Sequence, residues 1–251
     1  MLVNIASGAA SSFYGFRMQK AFLYSFITIN GFFVVFPQID LAVSRYFYQS
    51  GVFFISHNPY WIAVRDFHRL SQWYLLVFVM LTIALYALWP QRLSAVAPHK
   101  IVYITLIYLF GPGVLVHSLK LIIGRARPRN LAEFGGSVDF TPAWQLADMC
   151  RHSCSFPSGE SSAAVAMLPL LIFVPAHLRI KAALVFIPIL ALVSLNRVFM
   201  GAHFLSDVVI AWTLIIGLMI WLWPRISRNA DAIDSWVRLR GESLRTWLYV
   251  R

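Results

Sequence analysis

Lys120 and Arg127 stand seven residues apart, two turns of a helix, so a helix running through them aims both cations the same way. His203 and Asp207 stand at i and i+4, close enough for the carboxylate to reach one imidazole nitrogen and orient the ring. Between these pairs lies Ser155–Glu160 (SFPSGE), in which Pro157 ahead of Ser158 suits a helix start whose backbone N–H groups point at an anion. Gly159 has no Cβ to hold an anion away. Arg197, six residues before His203, adds a guanidinium able to grip two oxygens at once. These are the parts of a phosphoryl-transfer site, where positioning and charge stabilisation supply most of the catalysis. Lys120, Arg127 and Arg197 set three positive charges against a phosphomonoester of about −1.5 to −2. His203 is the expected nucleophile, with Asp207 holding its tautomer and stabilising the charged ring. A lone histidine at a membrane edge is more often a hydrogen-bonded interfacial residue, and Ser158 alone reads as a helix cap. The company of Arg197 and Asp207 turns the reading of His203 toward catalysis.

Order and spacing of the three segments resemble the membrane-bound type-2 phosphatidic acid phosphatases, whose signature runs K-x6-RP, PSGH and SR-x5-H-x3-D. Lys120, Arg127 and Pro128 match the first motif, Pro157, Ser158 and Gly159 the second, and Arg197, His203 and Asp207 the third. The likeness covers roughly residues 20–224. It implies a phosphohistidine on His203, phosphate held by Lys120, Arg127, Ser158, Gly159 and Arg197, and no metal or cofactor. Two positions depart. Glu160 replaces a histidine that in the family protonates the leaving oxygen, and Asn196 replaces a serine. A carboxylate acts as a general acid only if its pKa is raised, which nearby cations oppose. Glu160 therefore donates a proton in the loaded complex, or orients water or a cation, or serves a leaving group that needs little help. Asn196 can still hydrogen-bond phosphate or a neighbour. The Ser-Gly-Glu variant, the lead-in Cys154–Phe156 and the stretch Phe36–Tyr48 look most like the lipid A 4'-phosphatase branch.

Holding such charges at the ends of apolar runs requires a membrane protein. The chain is 59% hydrophobic and 12% charged, against about 25% charged for soluble domains. Spans need about 20 mostly apolar residues, and six are read: roughly Lys20–Phe36, Gln72–Trp89, Lys100–Ile123, Ser158–Val174, Ile180–Met200 and Phe204–Trp223. Gly111, Pro112 and Gly113 predict a kink in the third. The aromatic, amphipathic Pro37–Ser71 reads as short interfacial helices or a plain solvated loop. The expected fold is thus all-α, one polytopic domain over 1–251 with a core of about 20–224. No cation precedes Arg17 and no small-residue cleavage site follows the first apolar run, which reads as a retained anchor.

Cations set the orientation. Arg17, Lys20, Arg92, Lys100, Arg179, Lys181, Arg225, Arg228, Arg238, Arg240, Arg245 and Arg251 share one side. That excess predicts cytoplasmic termini, a multi-pass protein of the bacterial inner membrane, and motifs facing the periplasm. The net charge of +11 is spread over loops and tail, not gathered on one face, so no nucleic-acid partner is expected. The basic tail 225–251 reads as an amphipathic segment on anionic lipid or as disorder. Cys150 and Cys154 form a local disulfide or stay free thiols; a zinc site with His152 lacks a fourth ligand. Arg125 and Arg129 read a substrate headgroup or are interface charges. His57 and His68 show no partner pattern, while His117 shares a helical face with Lys120.

The expected activity is removal of a phosphate from an amphiphile, a phospholipid or a lipid A-type molecule, with no obligate protein partner. Alternatives are undecaprenyl diphosphate, phosphatidylglycerol phosphate or lipid A 1-phosphate as substrate, transfer to an acceptor lipid instead of water, and a transporter or lipid-binding protein.

Overall fold

The computed structural model describes residues 2–89, 96–150 and 153–249; Arg92, His152 and Arg251 fall outside them. The architecture is a helical bundle. Helix α1 (Leu2–Val35) leads through Pro37 into the short α2 (Gln38–Phe47) and a two-residue-per-strand hairpin, β1 (Tyr48–Gln49) and β2 (Val52–Phe53). Asn58 caps α3 (Pro59–Leu88) by accepting from the Tyr60 N–H at 3.0 Å, with Pro59 in the first helical turn. Helix α4 (Pro98–Tyr108) passes into a π-helical stretch, Leu109–Val116, at the Gly111-Pro112-Gly113 triplet, then into α5 (His117–Ile123). The expected kink therefore takes the form of a widened turn, because Pro112 withholds the N–H a tighter turn would use.

Among the described residues, five helical stretches are long and apolar enough to cross a membrane: Arg17–Val35, Pro59–Tyr86, Pro98–Asn130, Ala176–Phe199 and Leu205–Arg228. The expected fourth span, Ser158–Val174, is instead α6 (Gly159–Val165) followed by a 3₁₀ segment, Leu168–Phe173. It is a shorter apolar stretch than the other five. The second span also begins earlier than read. Helix α3 takes in the last third of the stretch assigned to interfacial helices, which leaves α2 and the hairpin there.

Helices α7 (Ala176–Phe199) and α8 (Leu205–Arg228) complete the bundle. Helix α8 is its axis: 44% of its most apolar window is buried, against 11% for α1 and α7. Ile104 and Ile107 of α4, Val165 of α6 and Ile215 of α8 pack in one core. The outer faces carry Leu23, Ile27, Phe78, Leu81, Ile180 and Leu184, all exposed. An apolar surface this continuous is stable only when lipid covers it.

The tail is neither disordered nor separate. Helix α8 runs on through Arg228, and α9 (Ala230–Tyr249) folds back on α3 and α4. Asp234 accepts from the His99 N–H at 2.8 Å, and Arg238 Nε donates to the Tyr86 hydroxyl at 3.1 Å.

At the opposite end, aromatic rings close the bundle. Phe53, Phe134 and Phe204 are buried together with Tyr48 and Phe140 against them. Two glycines let the backbone turn there. Gly201, at φ +62, lets the α7–α8 link pass against Phe53, and Gly124, also at φ +62, ends α5 against the Ala147 carbonyl. A Cβ at Gly124 would overlap that oxygen. Gly124→Ala is expected to lose roughly 1–3 kcal/mol, read as a lowered unfolding midpoint in detergent; an unchanged midpoint would show that the turn relaxes freely.

Candidate functional site

The π-helical turn and the Gly124 cap decide where the first motif's cations point. Lys120 sits in the last turn of α5, and its Nζ donates to the Cys154 carbonyl at 2.5 Å and the Ser155 carbonyl at 3.3 Å. Past the cap the chain is extended. Arg127 Nε donates to the Ser153 carbonyl at 2.8 Å and its Nη2 to Ser153 Oγ at 2.9 Å. Both cations thus anchor on one loop. Cys150 and Cys154 are joined by a disulfide that closes it, which decides between the two open readings.

Behind this loop lies a buried polar chain. His203 is 3% exposed, with Nδ1 3.6 Å from Asp207 Oδ2 and 3.4 Å from Ser155 Oγ. Ser155 Oγ donates to the same carboxylate oxygen. Asp207 also accepts from the Phe204 N–H at 2.8 Å, so it caps α8 while facing the imidazole. Its Oδ1 accepts from Arg125 Nη1 at 2.6 Å. Arg125 is wholly buried; its Nη2 donates to Asp40 Oδ2 at 2.8 Å and its Nε to the Thr141 carbonyl at 2.7 Å. Its guanidinium stacks 4.1 Å from the Phe204 ring centroid. Asp40, on α2, accepts again from the Ser206 N–H at 2.8 Å. Burial drives the His203 pKa down to about 4, and Lys120 and Arg127 push the same way against the pull of Asp207. The ring is therefore neutral at pH 7. With Nδ1 toward the carboxylate, Nε2 is the nitrogen directed away from it.

The front of the site is a cleft of about 350 Å³ lined by Arg69, Lys120, Arg127, Gly159, Glu160 and His203. His117 and Leu121 form part of its wall. Glu160 Oε1 accepts from Arg69 Nε at 2.8 Å and Nη2 at 2.6 Å. Arg197 Nε stands 2.5 Å from Glu160 Oε2, an ion pair off the line of a hydrogen bond. With every carboxylate ionised, four cations meet Glu160, and behind them Arg125 meets Asp40 and Asp207. The formal balance is two positive charges, matched to a phosphate dianion.

A model of the PAP2 superfamily matches residues 100–231, just over half of the 251-residue chain. The chain belongs to the PAP2 superfamily. Over 105 residues it is 44% identical to the lipid A 4'-phosphatase of Rhizobium leguminosarum, covering 41% of this chain and 45% of that protein. The Rhizobium etli lipid A 4'-phosphatase gives 42% over 105 residues, 41% of each chain. This chain thus spans less than half the length of those two relatives. The Francisella tularensis subsp. novicida (strain U112) lipid A 4'-phosphatase is 28% identical over 187 residues, 71% of this chain and 82% of that one. Among solved structures, the first transmembrane PAP2 type phosphatidylglycerolphosphate phosphatase from Bacillus subtilis superposes with a TM-score of 0.53 at 18% identity, covering 86% of this chain and 96% of that one. That likeness is one of fold. The chain is a multi-pass membrane protein of this superfamily.

Of the residues expected at the superfamily site, Lys120, Arg127, Gly159, Glu160 and His203 share the cleft, and Asp207 lies directly behind His203. Two are not at its surface. Arg197, its side chain 5% exposed, lies against Glu160. Ser158 Oγ meets Ser161 Oγ at 2.8 Å and the Ser161 N–H at 3.3 Å, so its hydroxyl caps α6. Arg125 neither reads a headgroup nor sits at an interface: it is a buried counter-ion. Asn196 Nδ2 donates to the Trp61 carbonyl at 3.0 Å, taking a neighbour and not the cleft. His68, read as unpartnered, places Nε2 3.0 Å from the Glu160 carbonyl. Asp40, Arg69 and Ser155 were not singled out. A lone acid within the apolar Phe36–Tyr48 stretch was the available signal for Asp40. Arg125→Met is expected to cost about 3–5 kcal/mol, since it strands two buried carboxylates. Adding Asp40→Asn should restore part of that in unfolding measurements; a double variant that loses the full sum would mean the pair is not coupled.

Proposed function

We propose that this chain is an integral membrane lipid phosphatase that hydrolyses a phosphate monoester of an amphiphile. Lipid A phosphorylated at the 4' position is the substrate favoured by the names of its relatives. The observation that carries the reading is the meeting of a neutral, carboxylate-backed His203 with Lys120 and Arg127 at one cleft. In this reading His203 Nε2 attacks phosphorus, the phosphorus–oxygen bond to the lipid breaks, and a phosphohistidine forms. Asp207 holds the Nδ1–H tautomer and stabilises the ring as it becomes positive. Lys120 and Arg127 sit pre-placed on backbone carbonyls, so charge developing on the equatorial oxygens meets fixed donors without reorganisation. Arg197 adds its charge from behind Glu160, and Gly159, whose added Cβ would come 3.5 Å from Lys120 Cε, keeps the approach to that cation open. Water then attacks the phosphohistidine, releasing phosphate and restoring the neutral imidazole. No metal or cofactor enters this scheme.

Access fits an amphiphile. Leu121 lines the cleft and is 62% exposed, and Ile122 beside it is 64% exposed. A headgroup can occupy the charged cleft while its acyl chains remain against such apolar surface. We further place the cleft at the periplasmic face of the inner membrane, with both termini cytoplasmic and residues 1–251 forming one domain, as the cation distribution supports. Gly159–Phe173 serves as a sixth, short pass, since a 3₁₀ stretch rises about 2 Å per residue against 1.5 Å in an α-helix. Helix α2 lies in the outer interface, and Arg225 and Arg228 at the end of α8, with Arg238, Arg240 and Arg245 of α9, face anionic headgroups at the opposite surface.

His203→Gln is expected to abolish turnover while the variant keeps its unfolding midpoint, and wild-type enzyme quenched in alkali should carry acid-labile label from a ³²P-phosphomonoester; full activity in the variant would end the nucleophile assignment. A second outcome follows from burial of the ring. Because the His203 pKa is lowered to about 4, the free enzyme keeps its nucleophile unprotonated above that pH. The acid limb of kcat/KM, corrected for the substrate's own ionisation near about 6, should then fall near pH 4. A limb near the ordinary histidine value of about 6.5 would place His203 in water.

A further inference from the structure

Resting on the phosphatase reading, we propose that Arg69, outside all three motifs, is a phosphate-binding residue of this site, and that Glu160 is the positioning residue that aims it at the cleft. The carboxylate of Glu160 is shared evenly. Oε1 takes Arg69 through Nε and Nη2, and Oε2 faces Arg197 Nε. Exposure differs across the trio: the Arg69 side chain is 51% exposed, Glu160 18% and Arg197 5%. Arg69 is thus the member on the open side, and it lines the cleft beside Lys120 and Arg127.

Its position is fixed twice from one helix. His68 Nε2 lies 3.0 Å from the Glu160 carbonyl, and Arg69 binds the side chain of the same residue. Helix α3 is therefore registered against the start of α6 by a backbone and a side-chain contact to Glu160. A guanidinium offers five N–H donors in a planar fork, and one carboxylate oxygen does not exhaust them. The remaining donors are available to an anion that enters the cleft.

The same geometry assigns Glu160. A carboxylate between two guanidiniums is an acceptor, with no proton to give a leaving group. Where the superfamily signature carries a histidine, this chain carries a negative charge that would weaken a phosphate site. Arg69 on the neighbouring helix returns the missing positive charge and brings a two-pronged donor with it.

The test uses the full-length protein in detergent with orthovanadate as the phosphate mimic and two monoesters differing in leaving-group pKa. Arg69→Gln is expected to raise the vanadate Ki and the substrate KM about 10- to 100-fold, the loss of one charge-assisted contact, with a smaller change in kcat. Arg69→Lys should recover part of the affinity. Glu160→Gln should slow both monoesters by similar factors and should add little in the Arg69→Gln background, because Glu160 acts through the arginine. An unchanged vanadate Ki in Arg69→Gln overturns the assignment of Arg69. Should that variant fail to fold, an unchanged vanadate Ki in Arg69→Met, which keeps the apolar stem but neither charge nor fork, overturns it equally. A Glu160→Gln defect that grows with leaving-group pKa and persists undiminished in the double variant identifies Glu160 as a proton donor. Failure of the underlying reading looks different: the wild-type protein then cleaves neither monoester and does not bind vanadate.

Discussion

A guanidinium taken wholly out of water must find carboxylates, and Arg125 finds two on different helices. Asp40 reaches it from α2 and Asp207 from the start of α8. Burying one such charge alone would cost several kcal/mol, so the three groups bind as a set or not at all. That constraint has direction, which apolar packing lacks. Inside a bilayer the hydrophobic effect does not press helices together, because lipid tails are as apolar as leucine. Directional polar contacts therefore carry more of the burden of placing one helix relative to another. Here they hold Asp207, and through it the His203 ring, at a set distance from the loop that follows α5.

That loop is the second fixed part. The disulfide between Cys150 and Cys154 closes a short ring whose far side presents the Ser153 and Cys154 carbonyls, with the Ser155 carbonyl next along the chain. Lys120 and Arg127 donate to those oxygens. Their placement is settled before a ligand arrives, and the backbone that places them is tied to the buried chain by the Ser155 N–H on the Arg125 carbonyl and the Ser158 N–H on the Asp207 carbonyl. Cations held in this way need little rearrangement in the phosphoryl transfer proposed above.

The motifs were legible because their spacing is local. The residue types and their order matched a signature and the apolar runs announce a bundle, but the helical reading of the two gaps is corrected: α5 ends at Ile123, so Arg127 lies on extended chain past the Gly124 turn, and His203 precedes α8, which begins at Leu205 and carries Asp207. What was not legible is long-range pairing. Arg125 and Asp40 are 85 residues apart, and Arg69 and Glu160 are 91 apart. No periodicity links such positions, so Arg125 looked like an interface charge and Arg69 like one more cation of an outward loop. The start of α3 was missed for a related reason. Polar residues at Arg65, Asp66, His68 and Arg69 lower the hydropathy of its first turns, yet all of them sit in a continuous helix begun by Asn58 and Pro59. The run Ser158–Val174 was read as one apolar stretch because composition alone does not distinguish an α-helix from one that tightens to 3₁₀ after Val165.

The two departures from the superfamily signature share a partner. Glu160 binds Arg69, and Asn196 donates to the Trp61 carbonyl; both partners lie on α3, within eight residues of each other. A buried polar side chain that loses its usual neighbour must be given another or destabilise the fold. Substituting a carboxylate for an imidazole, and an amide for a hydroxyl, therefore makes sense only alongside a facing helix that supplies a guanidinium to one and a carbonyl to the other. Helix α3 does both along a single face, and α6 and α7, which carry Glu160 and Asn196, both pack against it. Glu160, Asn196 and the polar opening of α3 are on this ground one structural unit, set beside the buried chain that runs from Asp40 to His203.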